Sequence, residues 1–401
     1  MRLVESFDLA EAAERSGFAV DELARLVDLG ILTPDAGGRF SPGHLRRAGL
    51  VRGLTAAGIQ LEGLAAAIRD GKISLDFLDA PAYERFSALS GATFAEVAER
   101  IGAPVEHLLF VREATGSVAP RPGDRIRDEE LAYAELIEVA VAVGFQPAAM
   151  QQMIRTQGES LRRVAETESA LWRSEVIEPA MRAGKRPDEI LGVDFGDRMS
   201  VLTERAVIAM YHLQQTRAWT ADIIEGLEAQ LAEAGLPNRL AHPPAMCFLD
   251  ISGYTRLTQE RGDAAAAELA GQLGRIVQRT SVQHGGRPVK WLGDGVMLYF
   301  PNPGDAVVGA LEMVRGVADA GLPPAHVGLH AGPVIFQEGD YYGSTVNLAS
   351  RISDHAGPGQ VLVSEAVVDA AVGAAVDFVE IGPVELKGVA DAMPLFEARP
   401  A

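Results

Sequence analysis

A chain of 401 residues and 42.6 kDa is too long for one ordinary core and implies two or three domains. With 48% hydrophobic and 23% charged residues, one cysteine and no apolar run near 18 residues, it reads as globular. Long disorder, a disulfide framework, a multi-cysteine metal site and a membrane span are excluded. The N-terminus lacks a basic segment followed by an apolar stretch, so no secretory signal is expected and a cytoplasmic setting fits. Lys and Arg number 36 against 55 Asp and Glu, a net charge of −19 that disfavours broad polyanion binding. The eight histidines are scattered, with no pair at metal-ligand spacing.

The first ~240 residues carry helical periodicity almost throughout, as in Leu23, Leu26, Val27 and Ile31. Ala10–Gly17 is echoed by Ala95–Gly102, and Val20–Leu23 by Val105–Leu108. After a one-residue slip, Ala57-Gly58-Ile59-Gln60 matches Val143-Gly144-Phe145-Gln146, and Ile68-Arg69 matches Ile154-Arg155. A degenerate duplication is the expectation.

In the first copy, a helix to Gly17, a turn and a second helix are followed by Leu29–Pro34, a glycine-rich hairpin at Gly37–Ser41 and a helix from Pro42. These residues resemble the winged helix-turn-helix of MerR-type regulators. The resemblance implies DNA contacts from Arg25, Arg39, Arg46, Arg47 and Arg52. Residues 1–72 nevertheless hold nine Lys/Arg and ten Asp/Glu, so a basic footprint is missing. DNA binding and a helical scaffold reused for dimerisation or sensing both stay open, the scaffold favoured. Residues 159–235 read as long helices in which Val201, Leu202, Val207, Ile208, Tyr211, Ile223, Ile224, Leu227 and Leu231 form a stripe. It serves either a core or a dimer and transmitter helix.

At Gly235–Pro244 turn residues accumulate, and from Met246 short apolar strands alternate with helices, an α/β pattern. The expected organisation is 1–75, a helix-turn-helix; 88–158, its second copy; 159–240, a helical dimerisation and linker region; and 244–398, a catalytic domain. The first three form an all-α regulatory half.

Three segments of the last region carry chemistry. In Phe248–Thr255 a strand ends at Asp250, then Ile251, Ser252, Gly253 and Tyr254 turn into a helix. A carboxylate beside free helix-start amides suits a divalent cation and phosphate together, and equally suits a plain helix cap. In Val289–Met297 a hairpin presents Asp294 at its tip, with Lys290 four residues earlier. Two strand-edge aspartates can converge on a metal pair. In Gly339–Arg351, Asp340 precedes a helix on which Asn347 and Arg351 share a face at i, i+4.

In this order and spacing the three segments resemble the class III nucleotidyl cyclase catalytic domain, over residues ~244–398. The resemblance implies an α+β, ferredoxin-like fold, conversion of ATP to 3′,5′-cyclic AMP and pyrophosphate, and two Mg²⁺ or Mn²⁺ ions per site. Asp250 and Asp294 match the metal-binding aspartates, with the Ile251 carbonyl completing one shell. The backbone of Ser252, Gly253, Tyr254 and Thr255 matches the triphosphate-binding turn. Lys290 and Asp340 match the adenine-selecting pair: a lysine donor meets N1 and an aspartate acceptor meets the N6 amino group, where guanine presents the reverse pattern. Asn347 matches the ribose-positioning residue and Arg351 the one that meets charge at the α-phosphate. Lys387 lies near a C-terminal phosphate-binding lysine. Because that family builds its site between two domains and this chain carries both residue sets once, a homodimer is implied. The alternative reading is a MerR-like DNA-binding regulator that uses a cyclase-derived module for dimerisation or nucleotide sensing.

Overall fold

A computed structural model describes residues 6–79, 83, 89–185, 190, 194–234, 242–254, 259–260, 262–389 and 391–401. The chain divides into two compact units, Met1–Gln214 and Gln215–Ala401. Of the expected seam Gly235–Pro244, residues 235–241 lie outside the described residues.

In the first unit the two echoing stretches fold alike locally. Helix α1 (Leu9–Ser16) starts on a reciprocal cap between Asp8 and Glu11 and stops at Gly17, whose φ is 70°. A helix in the second stretch does the same with Thr93, Glu96 and Gly102. Short polar side chains satisfy the first amides, and a left-handed glycine closes the last turn. After α1 come α2 (Val20–Asp28), α3 (Pro42–Ala56) and α4 (Leu61–Arg69). They close over Leu23, Leu26, Leu32, Phe40 and Val51. Next come β1 (Leu89–Thr93), α5 (Phe94–Ile101), α6 (Val105–Ala114), β2 (Arg125–Arg127), α7 (Leu131–Val143) and α8 (Pro147–Trp172). These surround a separate core of Phe94, Val97, Leu108, Ile126 and Ile137. The antiparallel β1–β2 pair departs from the helix-only expectation, because Ile126 is fully buried and pulls its strand onto this core.

Helix α8 runs into a π turn at Arg173–Ile177 and α9 (Glu178–Arg182). Pro179 in α9 has no amide to donate and crowds the carbonyl four residues back, which the wider turn accommodates. Helix α10 (Asp194–Glu233) carries the apolar stripe. Of the stripe, Val207 is half-buried, and Val201, Leu202, Ile208, Tyr211, Ile223, Ile224, Leu227 and Leu231 are exposed in the single chain, as is Trp219 at 61%. Among the described residues the stripe therefore lies mostly outside any core. No helix among the described residues is long and apolar enough to cross a membrane.

The second unit is α+β. It contains β3 (Ala245–Ile251), α11 (Asp263–Gln283), β4 (Arg287–Leu292), β5 (Gly295–Phe300), α12 (Pro303–Asp319), β6 (Ala325–Ala331), β7 (Ile335–Gln337) and β8 (Asp340–Tyr342). It continues with α13 (Ser344–His355), β9 (Val361–Ser364), α14 (Glu365–Ala370), β10 (Val376–Val384) and β11 (Met393–Pro400). Seven strands form one sheet in the order β10-β11-β9-β6-β3-β5-β4, with β7–β8 a separate hairpin. Neighbours are antiparallel except β6 and β9.

Side-chain alternation splits the central strands cleanly. Ala245, Cys247, Leu249 and Ile251 join Val296, Leu298, Phe300, Val327 and Leu329 in a core shared with Val277 of α11 and Met313 of α12. Met246 and Met297 point the other way, onto Ala349 of α13 and Tyr341 of β8. Cys247 is buried and its thiol is pushed up by burial, so it behaves as a small hydrophobe.

His330, on the α13 side of β6, has Nδ1 2.7 Å from Ser364 Oγ, and burial holds its pKa below 6.5. A histidine kept neutral by the fold binds a proton more readily once unfolded. Stability is therefore expected to be full above pH 6.5 and to fall as pH drops below it, by up to about 1.4 kcal/mol per pH unit until the folded-state pKa is reached. Urea midpoints measured between pH 8 and 5 should show that slope, and His330→Asn should flatten it.

Candidate active site

Asp250 stands near the end of β3, on the face that looks toward α13, directly across from His326 of β6. Asp294 occupies the two-residue turn between β4 and β5. There Gly293 alone takes positive φ, at 71°, the pattern of a type II′ hairpin. Its neighbour Gly295 is needed for approach: a Cβ there would lie 3.1 Å from Asp250 Oδ1 and 3.2 Å from the Leu249 carbonyl.

Burial first, and the charge of Asp294 second, push the Asp250 carboxyl above its ordinary range, with Asp354 adding to the effect. The carboxylate is thus half-buried among like charges. His326 Nε2 lies 3.7 Å from its Oδ2. Such a pair invites a divalent cation: the donors are hard oxygens, and the repulsion is relieved only by positive charge. No group of three or more His, Cys, Asp or Glu among the described residues is arranged to hold a metal.

The turn after β3 differs from expectation in one respect. The Ser252 amide donates to the Pro324 carbonyl at 2.9 Å and so is not directed at a ligand. Its hydroxyl lies 3.1 Å from His326 Nδ1. Gly253 has φ of 80°, and the Tyr254 hydroxyl donates to the Ala266 carbonyl of α11 at 3.2 Å. Thr255 lies outside the described residues. His326 was invisible to sequence reasoning: the register that sets it against Asp250 is its only signal.

Lys290 of β4 and Asp340 of β8, 50 residues apart, meet at 3.0 Å. Asp340 also accepts from the Tyr341 amide at 2.9 Å. Lys290 is paired with Met297 in the sheet, and Met297 with Phe248, two residues before Asp250. Lys290 and Asp250 therefore share one face of the sheet, two strands or roughly 10 Å apart across it, while Asp294 stands in the turn that joins β4 to β5. On α13, Asn347 is exposed, and Arg351 one turn later donates to Asp354 at 2.9 Å. Lys387 sits in an exposed turn between β10 and β11, at the far edge of the sheet from β4. Strand spacing separates β10 from Asp250 by roughly 19 Å within one chain.

The family described as the adenylate and guanylate cyclase catalytic domain matches residues 241–396. A pH-sensitive adenylate cyclase of Mycobacterium tuberculosis is 27% identical over 327 residues, covering 76% of this chain and 77% of that protein. An adenylate cyclase of Streptomyces coelicolor is 30% identical over 240 residues, covering 60% of this chain and 58% of its own length. The chain thus spans little more than half of the second relative. A crystal structure of the adenylyl cyclase CyaB from P. aeruginosa aligns at 20% identity and a TM-score of 0.36, over 40% of this chain and 95% of that one. That likeness is too distant to bear on function. Residues 241–396 of this chain are a class III adenylate and guanylate cyclase catalytic domain.

Proposed function

We propose that the chain is an adenylate cyclase that forms 3′,5′-cyclic AMP and pyrophosphate from ATP at sites shared between two copies, under control of its helical first half. One observation carries the reading. Asp250, whose carboxylate is repelled by that of Asp294, lies on the same sheet face as a Lys290–Asp340 pair whose donor and acceptor suit the adenine edge.

In this reading Lys290 donates to N1 and Asp340 accepts from the N6 amino group, releasing each other as the base enters. Asn347 orients the ribose. Mg²⁺ or Mn²⁺ held by Asp250, Asp294 and the Ile251 carbonyl would neutralise phosphate charge and acidify the 3′-hydroxyl. The 3′-oxygen bonds to the α-phosphorus, the α–β anhydride bond breaks, pyrophosphate leaves, and the hydroxyl proton passes to solvent. Arg351 meets the charge that grows on the α-phosphate. Leaving Asp354 costs it little, since exposed ion pairs are worth about 0–1 kcal/mol.

The separation of Lys387 from Asp250 within one chain supports a shared site. So does exposed apolar surface beside the candidates, at Trp291, Leu292, Ile335, Phe336 and Tyr342. Regulation by the first half accords with the M. tuberculosis relative, whose 327 aligned residues reach well beyond 241–396.

DNA binding draws little support from the arginines assigned to it. Arg25 pairs with Glu62, Arg39 with Ser6, and Arg46 with the Leu78 carbonyl. Arg47 is buried against Asp76 and Asp79, and Arg52 lies over the Phe18 ring.

Mixing Asp250→Ala and Lys290→Ala chains, each inactive alone, tests the shared site. Random pairing makes half the dimers mixed, each with one intact site, so about a quarter of wild-type turnover should return. No recovery from demonstrably mixed dimers refutes sharing. No cyclic nucleotide from folded wild-type dimer with ATP or GTP and Mn²⁺ refutes the reading itself.

A further inference from the structure

The β7–β8 hairpin bears Asp340 yet pairs with no strand of the main sheet. Its two strands have three residues each, joined through Glu338 and Gly339, both at positive φ. A two-stranded ribbon this short is marginal by itself, so something must hold it in place. The Lys290–Asp340 pair is poorly suited to the task. It is half exposed on the lysine side, and it opens when a base takes its place.

A second link lies beside it. Arg287, at the start of β4, donates from Nη2 to the Tyr341 hydroxyl at 2.6 Å. Its guanidinium carbon lies 5.3, 6.0 and 5.8 Å from the ring centroids of Tyr299, Phe336 and Tyr341. Tyr341 stacks on Tyr299 of β5 with centroids 4.5 Å apart and planes within 6°. Phe336 of β7 closes on Tyr341 at 5.1 Å. One cation and three rings from β4, β5, β7 and β8 thus join hairpin to sheet.

The arrangement depends on a defect in β4. Arg287 and Lys290 are three residues apart, which in a regular strand would send them to opposite faces. A bulge between Pro288 and Lys290 absorbs one residue, so Arg287 pairs with Tyr299 and Lys290 with Met297, two positions apart on β5. Both side chains therefore face the hairpin. Arg287 grips Tyr341 while Lys290 meets the preceding residue, Asp340.

We propose that Arg287 is a positioning residue for base selection: with Tyr299, Phe336 and Tyr341 it clamps the β7–β8 hairpin and holds Asp340 in place when Lys290 and Asp340 part to receive the base. This rests on the base-reading role given above to Lys290 and Asp340. Arg287 is exposed at the sheet edge, so replacing it opens no core.

The test uses the full chain with Arg287→Gln, Tyr341→Phe and Arg287→Lys. Tyr341→Phe removes only the hydroxyl and keeps the stack, which makes it the safer variant for folding. Read-outs are the ratio of kcat/KM for ATP to that for GTP, KM and kcat separately, and amide exchange over 335–342. Arg287→Gln should lower the ratio at least ~10-fold, chiefly through KM for ATP, and speed exchange in the hairpin. Tyr341→Phe should fall between it and wild type, and Arg287→Lys should restore part of the loss. An unchanged ratio in folded Arg287→Gln and Tyr341→Phe overturns the proposal. Lys290→Ala, assayed alongside, separates the two ideas. If it keeps wild-type activity and an unchanged ratio, instead of the loss of activity expected of it, while Arg287→Gln still loosens the hairpin, the base-reading assignment has failed rather than the clamp.

Discussion

Replacing either Asp250 or Asp294 by asparagine is expected to lower kcat/KM for ATP by about 10³-fold or more while leaving the domain folded or slightly more stable. Asparagine keeps the shape of aspartate and removes its charge, so what is lost is the attraction for divalent cations and the phosphates they bridge. The stability sign runs the other way. Burial and the neighbouring Asp294 charge disfavour an ionised Asp250; Asp250→Asn removes both penalties, and Asp294→Asn removes the second. A cyclase assay on the purified variants, with thermal melts in metal-free buffer, checks both halves. Near wild-type turnover in either variant would remove the aspartates from the catalytic machinery. A large drop in melting temperature would show that they serve the fold instead.

Gly328→Ala is expected to be the most damaging single-methyl change in the second unit. Gly328 sits mid-strand in β6 under α13, where a Cβ would lie 2.0 Å from the Ser353 amide nitrogen and 2.6 Å from the Ile352 carbonyl carbon. These are backbone atoms of a helix, so no side chain can swing aside, and α13 must lift. Lifting it strains the Ser353 hydroxyl bond to the Phe248 carbonyl, 3.2 Å long, and the burial of Ile352 and Ala349. A cost of about 2–4 kcal/mol follows from overpacking against unyielding backbone. Because α13 also carries Asn347 and Arg351, a shift near 1 Å should cost roughly 10²-fold in kcat even where the protein remains folded. Urea titration gives the first number, and an assay well below the melting point gives the second.

Much of the second unit is legible in the order of its residues. Strands ending at Asp250 and flanking Asp294 follow from apolar runs stopped by glycine and aspartate, and Asn347 and Arg351 share a helix face by spacing alone. Capping pairs such as Thr93 with Glu96 are likewise local, because a side chain three residues away completes them. Features that join distant segments are not legible. The Ser252 amide is spent on Pro324, 72 residues later, and His326 faces Asp250 only because β6 lies beside β3 in one register. The stripe on α10 fits a buried helix equally well by period, and only packing left it exposed.

Residue order alone thus determined where strands, turns and helix starts fall, and which of them carry carboxylate, lysine, asparagine and arginine. Those choices depend on backbone torsions and neighbours within a few positions. Tertiary structure decided that a bulge turns Arg287 and Lys290 to one side, that Gly328 must be bare beneath a helix, and that two aspartates repel within reach of each other. Each of these is set by strand register and by contact between segments dozens of residues apart, and no local pattern along the chain encodes either.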